Sequence, residues 1–398
     1  ALYISLLGRL DTSAHTQQEL SSLVSRYLYG LEIRYAMFDT YGTEDFQPFL
    51  RTAWITMEED LQQGYDLLYE ILYDTQFTDI ETLSGLIDRE LSAQKSAVTY
   101  GAYTIMLYRM LGAGSPLYAY YDHLSGLDYY DFLVKADALI ESDPEAVTAA
   151  LEKIQEHFRN RTDAVCLFAG DSAMFEENTA CADDFLSKLD TKPVVPVKYA
   201  FEAPAMREAL IIDSTVQYNG IVGDFDALGL AGYTADLEAV SALVLDKYLI
   251  PELRETYGVY TPMHGYLENG GAYLLTYSDP NIRETFDVYA ALPEFLSGRE
   301  TDQDVLDGYI LSAYSTLARP EGELSGAISA IIARICLEPE NLKIQRMQEL
   351  KSLTSEKLAS YAEAYRSLDE NAHIFTAGNA AAIRENADLY DRILDPFA

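Results

Sequence analysis

The amino-acid sequence predicts an α+β protein of two tandem homologous units, each a mostly antiparallel sheet with helices packed on one face. Three observations support this fold class. Strand-like and helical runs alternate in both halves, a proline-rich stretch separates the halves, and a ten-residue motif recurs. We expect a first unit over 1–190, a linker over 191–204 and a second unit over 205–398.

The composition narrows the classes of function. With 398 residues, 49% of them apolar, the chain can bury a sizeable core. Its 64 acidic and 28 basic residues give a net charge of −36, which repels phosphate backbones and anionic lipid. Nucleic-acid partners and membrane-surface docking are therefore not expected. The acidic surface leaves two interpretations open, solubility and attraction of basic ligands.

The cysteines and the apolar runs bear on the compartment. Cys166, Cys181 and Cys336 are too few and too scattered for a disulfide framework or a cysteine-based zinc site. They fit a reduced compartment, and we expect a cytoplasmic location. The longest apolar stretch, 326–337, is shorter than the roughly 20 residues that span a bilayer. Because the chain opens at Ala1 inside a helical pattern, we expect it to be a piece of a longer protein, with a trimmed mature chain as the alternative.

The first unit combines helical spacing with aromatic and β-branched runs typical of strands. The predicted elements are helices at 17–28, 58–72, 80–111 and on to about 159, and strands at 31–38, 46–57 and 164–169. The linker follows, because Pro193, Pro196 and Pro204 stiffen the chain and proline cannot join a central ladder.

The second unit repeats this order of elements. A strand is predicted at 209–218, then a helix that begins near Thr234 as its N-cap, with Asp236 in its first turn. Strand-like runs at 259–266 and 272–277 are joined by Asn269-Gly270, a strong hairpin signal. Further helices run to about 368, and 373–377 reads as a last strand.

The recurring motif lies at corresponding points of the two units. Residues 169–178 align with 377–386 at an offset of 208, and each copy is predicted to follow a short apolar strand and to open a helix. Duplication of one unit of about 200 residues explains this economically. Chance resemblance over ten residues is the alternative.

Catalytic motifs are missing from the sequence. The five histidines never occur in a pair with metal-ligand spacing. Lys153 to His157 would match an inverted zinc motif only if position 153 were histidine, and a lysine ammonium has no lone pair to give. No nucleophile elbow, phosphate-binding loop or dinucleotide fingerprint is present. We therefore expect no metal ligand, no cofactor and no catalytic residue within this chain alone.

Tyrosine occurs 31 times and clusters around a stretch that proline and glycine interrupt. Tyrosine offers apolar area and a hydroxyl at low entropic cost, which suits a peptide-contacting surface. Packing in an aromatic-rich core is the alternative. The cluster comprises Tyr118, Tyr120, Tyr121, Tyr129 and Tyr130.

The stretch from Leu253 to Tyr260 is the most informative. Arg254 ends an amphipathic helix, Gly258 can supply the C-terminal turn, and Tyr260 begins the next strand. Arg254 and Tyr260 should therefore lie on opposite sides of one tight turn. Two interpretations remain: an arginine that stabilises the helix C-terminus through the dipole, or a pair of functional side chains.

Several motifs resemble the pitrilysin/insulinase family of zinc metallopeptidases, in its presequence-protease branch. The Arg-Glu-x-x-Gly-x-Tyr pattern of Arg254, Gly258 and Tyr260 resembles the helix-to-strand signature of the family's C-terminal half. Residues 277–281 with Glu284-Thr285 are similar to the branch's Tyr-Arg-Asp-Pro-Asn…Glu-Thr stretch. Residues 124–133 and the opening 6–10 resemble segments of the third domain of that branch.

The resemblance implies fold, activity and site residues. In the family, four homologous units form two halves that close around a peptide, and the N-terminal half binds zinc through His-x-x-Glu-His. This chain has no such motif, so it is similar to the C-terminal half, with the third and fourth domains. The implied reaction of the whole is zinc-assisted hydrolysis of unstructured peptides. Tyr260 would then donate to the developing oxyanion, and Arg254 would hold a substrate carbonyl or carboxylate.

Two functions follow as expectations. The first is the non-catalytic half of a zinc metalloendopeptidase, which encloses the peptide and supplies Arg254 and Tyr260, on a turn supported by Gly258, to the zinc-bearing N-terminal half. The chain alone should then be inactive. The second is a stand-alone peptide-binding or scaffold protein on the same fold, without proteolysis. An unrelated α+β protein is a third possibility.

Overall fold

A computed structural model describes residues 1–162, 164–193, 195, 199, 201, 204–298 and 301–397. The helices are α1 (Leu2–Leu6), α2 (Gln17–Tyr27), α3 (Leu61–Tyr73), α4 (Ile80–Tyr100), α5 (Ala102–Leu111), α6 (Pro116–Ser125), α7 (Leu127–Ser142), α8 (Pro144–Phe158), α9 (Phe175–Ser187), α10 (Asp236–Val244), α11 (Arg283–Ala290), α12 (Leu292–Ser297), α13 (Gln303–Leu317), α14 (Glu323–Ile335), α15 (Leu342–Lys351), α16 (Ser355–Asn371) and α17 (Ala380–Glu385). A π-helix, Leu245–Thr256, continues α10, and short 3₁₀ helices lie at Glu58–Asp60, Ser172–Met174 and Ala387–Leu389.

The strands form two separate sheets. They are β1 (Tyr29–Asp39), β2 (Phe46–Ile55), β3 (Arg207–Ile211), β4 (Tyr218–Gly223), β5 (Thr261–Leu267), β6 (Gly271–Tyr277), β7 (His373–Gly378) and β8 (Arg392–Leu394). In the first unit β1 and β2 pair antiparallel. In the second, the order is β5-β6-β4-β7-β3-β8, antiparallel from β5 to β7 and parallel from β7 to β8. The α+β class and the Asn269-Gly270 hairpin are thus confirmed.

The strand predicted at 164–169 is wrong. The segment joins no ladder, and Val165 and Leu167 are 52% and 43% exposed. The nearest strand-like pairing is a single bridge between Asn160 and Asp190. Strand propensity reports how a side chain fits a half-buried sheet surface, and here no neighbouring surface is provided. Similarly, the run at 209–218 divides, because Ser214 turns the chain by bonding Val216 between β3 and β4.

Alternate residues of β4 face two different cores, as strand geometry requires. Ile221 packs with α10, α13 and α16 of the second unit, and this is the single helical face expected for that unit. Val222 packs on the other side with Met106 and Met110 of α5. A helix of the first unit therefore covers the opposite face of the second unit's sheet. The division into units at 190 and 205 stays a prediction.

A buried ion pair fastens α5 to that sheet. Arg109 donates from Nε to Glu208 Oε2 across 2.6 Å and from Nη1 to Asp122 Oδ2 across 3.1 Å, and Glu208 is fully buried. Burial, aided by Asp128, raises the pKa of Asp122 to about 6 against the opposing effect of Arg109. Half of the predicted linker lies outside the described residues, since 194, 196–198, 200, 202 and 203 are not described.

The recurring motif has the same local structure at its capping position. Asp171 accepts a hydrogen bond from the Ala173 N–H at 2.9 Å, and Asn379 accepts one from the Ala381 N–H at 2.8 Å. These caps stand at the same place in both copies, although only the second copy follows a strand. The duplication itself stays a prediction.

The N-cap predicted at Thr234 is wrong. Helix α10 begins at Asp236 with Ala235 as its N-cap, which has no side chain to accept a bond. Instead Glu349 of α15 accepts the Ala235 N–H at 2.9 Å, so a distant carboxylate replaces the local cap. Asp236 lies in the first turn as predicted.

Among the described helices, none has both the length and the apolar character that a membrane span requires.

Candidate functional site

The helix that carries Arg254 ends in the predicted turn. The π-helix includes Pro251 and ends at Thr256, and the Tyr257 N–H still donates to Glu252 O at 3.3 Å. Gly258 then adopts φ +75°, which glycine reaches without steric cost. The Val259 N–H reaches back to Leu253 O at 3.0 Å and closes the turn. Helices of this wide winding are rare and often lie at functional sites.

Arg254 and Tyr260 both present their side chains to solvent. Arg254 is exposed, and its guanidinium makes no hydrogen bond or ion pair with another described residue. It therefore does not fold back on its own helix carbonyls. Tyr260 is 64% exposed and directly precedes β5, the edge strand of the six-stranded sheet. Both residues are thus exposed, and their role stays a prediction.

Tyr260 stands at the margin of an aromatic cluster centred on Tyr277. The Tyr277 ring lies 6.4 Å from that of Tyr260, 5.4 Å from Tyr218 and 6.0 Å from Tyr103. Sequence reasoning missed Tyr218 and Tyr103. Tyr218 begins β4, and Tyr103 belongs to α5 of the first unit, so only the tertiary fold brings them together.

The exposed pair can donate hydrogen bonds but cannot supply a base. A guanidinium has five N–H donors and no acceptor, and a phenol hydroxyl donates at neutral pH. Together they suit an electron-rich oxygen such as a peptide carbonyl, a carboxylate or a developing oxyanion. A proton acceptor and an activated nucleophile would have to come from elsewhere.

The described residues offer no site for a metal ion. Within the described residues, no three His, Cys, Asp or Glu side chains converge in an arrangement that could hold one. His264 is buried, and burial lowers its pKa to about 3, so its ring is neutral.

Among the described residues, one serine and one histidine lie within hydrogen-bonding distance of each other, and both are in the buried core. Ser241 Oγ lies 2.9 Å from His264 Nδ1, and Tyr365 OH lies 2.7 Å from His264 Nε2. Both Ser241 and His264 are 7% exposed, and Tyr365 is 2% exposed. A substrate cannot reach this pair, so it does not act as a nucleophile and base.

The tyrosine cluster of the first unit divides between the two interpretations. Tyr129 and Tyr130 are 3% and 8% exposed and belong to the core. Tyr118, Tyr120 and Tyr121 are half-buried and lie beside the β1–β2 hairpin, where the Tyr35 and Tyr121 rings meet edge to face at 6.3 Å. Burial raises the pKa of Tyr118 to about 12, so its hydroxyl stays protonated.

A cavity of about 420 Å³ opens between the two units. The tip of the β1–β2 hairpin, the loop after β4, the β5–β6 turn and α15 contribute to its lining. Five of the six charged groups in its described lining are carboxylates, and the sixth, Arg346, is paired with Glu268. Its described lining contains no histidine and no cysteine, so it offers no nucleophile–base pair.

Comparison with known proteins places the sequence motifs in context. Residues 1–135 match the family model for the region associated with M16 peptidases of subfamily C. The chain is 24% identical over 394 residues to protein HypA of Clostridium perfringens, covering 98% of this chain and 40% of HypA. It is 20% identical over 367 residues to presequence protease 1, chloroplastic/mitochondrial, of Arabidopsis thaliana, covering 91% of this chain and 34% of that protein. The chain thus spans well under half the length of both relatives.

Solved structures share the fold at low sequence identity. A protease from Helicobacter pylori matches with a TM-score of 0.62 and 15% identity, over 94% of this chain and 88% of that one. Pitrilysin matches with a TM-score of 0.61 and 11% identity, over 99% of this chain and 40% of its own. A peptidase M16 inactive domain from Pseudomonas fluorescens matches with a TM-score of 0.54 and 14% identity, over 95% and 87%. This chain is therefore similar to the M16 peptidases and resembles the C-terminal half of such an enzyme.

Proposed function

We propose that this chain is the non-catalytic C-terminal half of a zinc metalloendopeptidase that degrades unstructured peptides. The observation that carries the proposal is the turn at Gly258, which presents Arg254 and Tyr260 to solvent with their donor groups unused by the described residues. The family that the sequence motifs resemble consists of zinc metallopeptidases, whereas no group of described side chains here could hold the metal. The zinc belongs to the partner half.

The two side chains divide the work of holding the substrate. Tyr260 donates its hydroxyl to the oxygen on which negative charge develops when the peptide carbonyl is attacked. Arg254 offers a planar fork that holds a neighbouring substrate carbonyl or carboxylate in two parallel hydrogen bonds. Both donor groups are already in position before the reaction begins, so they need little reorganisation when the negative charge develops.

The aliphatic face of helix α14 is a second observation in favour of a partner half, which would cover the second unit. Its aliphatic residues recur at i, i+4, i+7, i+8 and i+11 on one face, where the first is 58% exposed and the other four are half-buried. They are Leu324, Ile328, Ile331, Ile332 and Ile335. An aliphatic face of this length is typical of a contact surface. A net charge of −36 on each chain opposes pairing with a second copy, so the zinc-bearing half is the partner we propose.

The test is reconstitution. The coding sequence upstream of Ala1 is searched for His-x-x-Glu-His, and the protein that contains it is produced with this chain. Cleavage of an unfolded peptide by the assembly, and not by this chain alone, is the expected result. Tyr260→Phe should then impair turnover, whereas Tyr257→Phe on the same turn, 38% exposed, should not. Full cleavage by the zinc-bearing protein without this chain would overturn the proposal.

A stand-alone peptide-binding protein on the same fold is the second candidate. Two observations favour it: no metal-binding group lies among the described residues, and the Pseudomonas fluorescens relative in fold is itself an inactive domain. It predicts that this chain alone binds an unfolded peptide as tightly as the assembly does. Affinity that requires the zinc-bearing half would exclude it.

A further inference from the structure

A buried polar network lies directly behind the turn that carries Arg254 and Tyr260. Its centre is Asp279, which is fully buried between β4, β6 and α11. Its Oδ1 accepts the Asn281 N–H at 2.8 Å, and its Oδ2 accepts Asn219 Nδ2 at 2.9 Å and Thr285 Oγ1 at 2.6 Å. The main chain of Asp279 also pairs in both directions with Gln217, at 2.7 and 2.8 Å.

The network is saturated, which makes it rigid. The second Asn219 Nδ2 hydrogen goes to Asn281 O at 2.8 Å, and Asn219 Oδ1 accepts Thr376 Oγ1 at 2.9 Å. Asn219, Thr285 and Thr376 are all fully buried. Because each buried donor has an acceptor, moving any member would leave a polar group unpaired in a low-dielectric interior.

Two hydrogen bonds connect this network to the turn. Asn281 Nδ2 donates to Tyr257 O at 2.9 Å and so satisfies a carbonyl at the helix C-terminus, where such groups lack intrahelical partners. The Tyr260 N–H donates to Ser278 O at 3.2 Å, the residue next to Asp279. The turn is thus held at both ends by the segment from Ser278 to Asn281.

We propose that Asp279 and Asn281 are positioning residues that hold Arg254 and Tyr260 in place for the peptide. This proposal rests on the proposed function of Arg254 and Tyr260. Asn281 acts through the Tyr257 carbonyl, and Asp279 acts by orienting Asn281 through both its N–H and its side-chain amide, the latter at 3.2 Å. Pro280 between them restricts the backbone that makes this Asx turn. The Asp-Pro-Asn segment thereby has a function without touching substrate.

The first experiment uses the chain alone. Asn281→Ala removes the bond to the Tyr257 carbonyl, and Asn371→Ala is the matched control, because Asn371 Nδ2 also donates to a helix carbonyl, Ser367 O, at 2.8 Å. Amide hydrogen exchange is measured at Val259 and Tyr260. We expect exchange to be roughly fivefold faster in Asn281→Ala, the effect of one lost hydrogen bond, and unchanged in Asn371→Ala. Unchanged exchange in Asn281→Ala would overturn the proposal.

The second experiment separates positioning from general stabilisation in the reconstituted enzyme. Asn281→Ala and the isosteric Asp279→Asn are each combined with Tyr260→Phe in a double-mutant cycle on kcat. If the network acts through Tyr260, its loss should cost roughly fivefold with Tyr260 present and little once the hydroxyl is gone. An equal loss in both backgrounds would assign the network a purely structural role. If Tyr260→Phe alone has no effect, the proposed function fails, while the exchange result still stands on its own.

Discussion

The backbone N–H of Tyr260 donates to the Ser278 carbonyl at 3.2 Å, while the Tyr260 ring is 64% exposed. Ser278 itself has φ +56°, an uncommon conformation for a residue other than glycine. The main chain of Tyr260 is therefore fixed from behind and its hydroxyl is left unused. Because the main chain and not the side chain holds Tyr260 in place, substitutions of its side chain should change function with little disturbance of the fold.

Replacing Tyr260 with phenylalanine should reduce turnover without reducing stability. If the hydroxyl stabilises the oxyanion, kcat in the reconstituted enzyme should fall by roughly 10²- to 10³-fold, the usual loss for one such donor. The melting temperature should not change, because the hydroxyl bonds no described residue and the ring stays in place. Wild-type turnover would contradict the assignment, and a large loss of stability would assign Tyr260 a structural role.

Arg254→Lys tests whether the planar fork is needed. Lysine keeps the positive charge but cannot form two parallel hydrogen bonds to one carbonyl or carboxylate. We expect kcat/KM for an unfolded peptide to fall by roughly tenfold or more, the loss of a charge-assisted hydrogen bond. The control is Arg9→Lys, which makes the same change at an exposed arginine of the first unit. Equal kcat/KM in the wild type and Arg254→Lys would mean that Arg254 contributes charge alone.

The isolated chain should bind no stoichiometric zinc at neutral pH and should not cleave unfolded peptides. The reason is that zinc needs at least three protein ligands, and the described residues bring no such group together. Elemental analysis of chelator-washed protein, followed by peptide cleavage assays with added zinc, makes the measurement. One zinc per chain, or cleavage that depends on added zinc, would contradict it.

Local signals in the sequence predicted much of the fold. The Asn269-Gly270 signal correctly predicts the β5–β6 hairpin, whose turn comprises 268–270 with Gly271 at φ +105°, and Gly258 ends the helix because it tolerates positive φ. Predictions failed where the deciding contact was distant. Glu349 caps α10 from 114 positions away, and the apolar run at 164–169 finds no strand to pair with.

The site was predictable only in part for the same reason. Arg254, Gly258 and Tyr260 lie within one short segment, so their spacing is visible in the sequence. Tyr103 joins the Tyr277 cluster from the first unit, and Asn219 reaches Asp279 from 60 positions earlier. Neither contact has a local pattern, because each depends on how strands and helices assemble.

Helix α14 provides a prediction about assembly. Leu324 is 58% exposed, so Leu324→Glu should leave the stability of the isolated chain within about 0.5 kcal/mol of wild type. If the zinc-bearing half covers this helix, the same change should weaken association by roughly tenfold, as burial of an unpaired charge in an interface would. Val305→Glu, on α13 and 42% exposed, is the control. Unchanged affinity for Leu324→Glu would place the interface elsewhere.

The carboxyl of Asp122 should make stability depend on pH. Its pKa is raised to about 6, chiefly by burial, from about 3.9 in an unfolded chain. Between these values the folded state binds the proton and the unfolded state does not, so the free energy of unfolding should fall as the pH rises from about 4 to about 6. In Asp122→Asn this contribution is absent. Urea denaturation of both proteins from pH 4 to pH 7 measures the difference between their free energies of unfolding. This difference should change by about 3 kcal/mol between pH 4 and pH 6, which is the most that one group with these two pKa values contributes. A difference that does not vary with pH would show that Asp122 ionises normally beside Arg109.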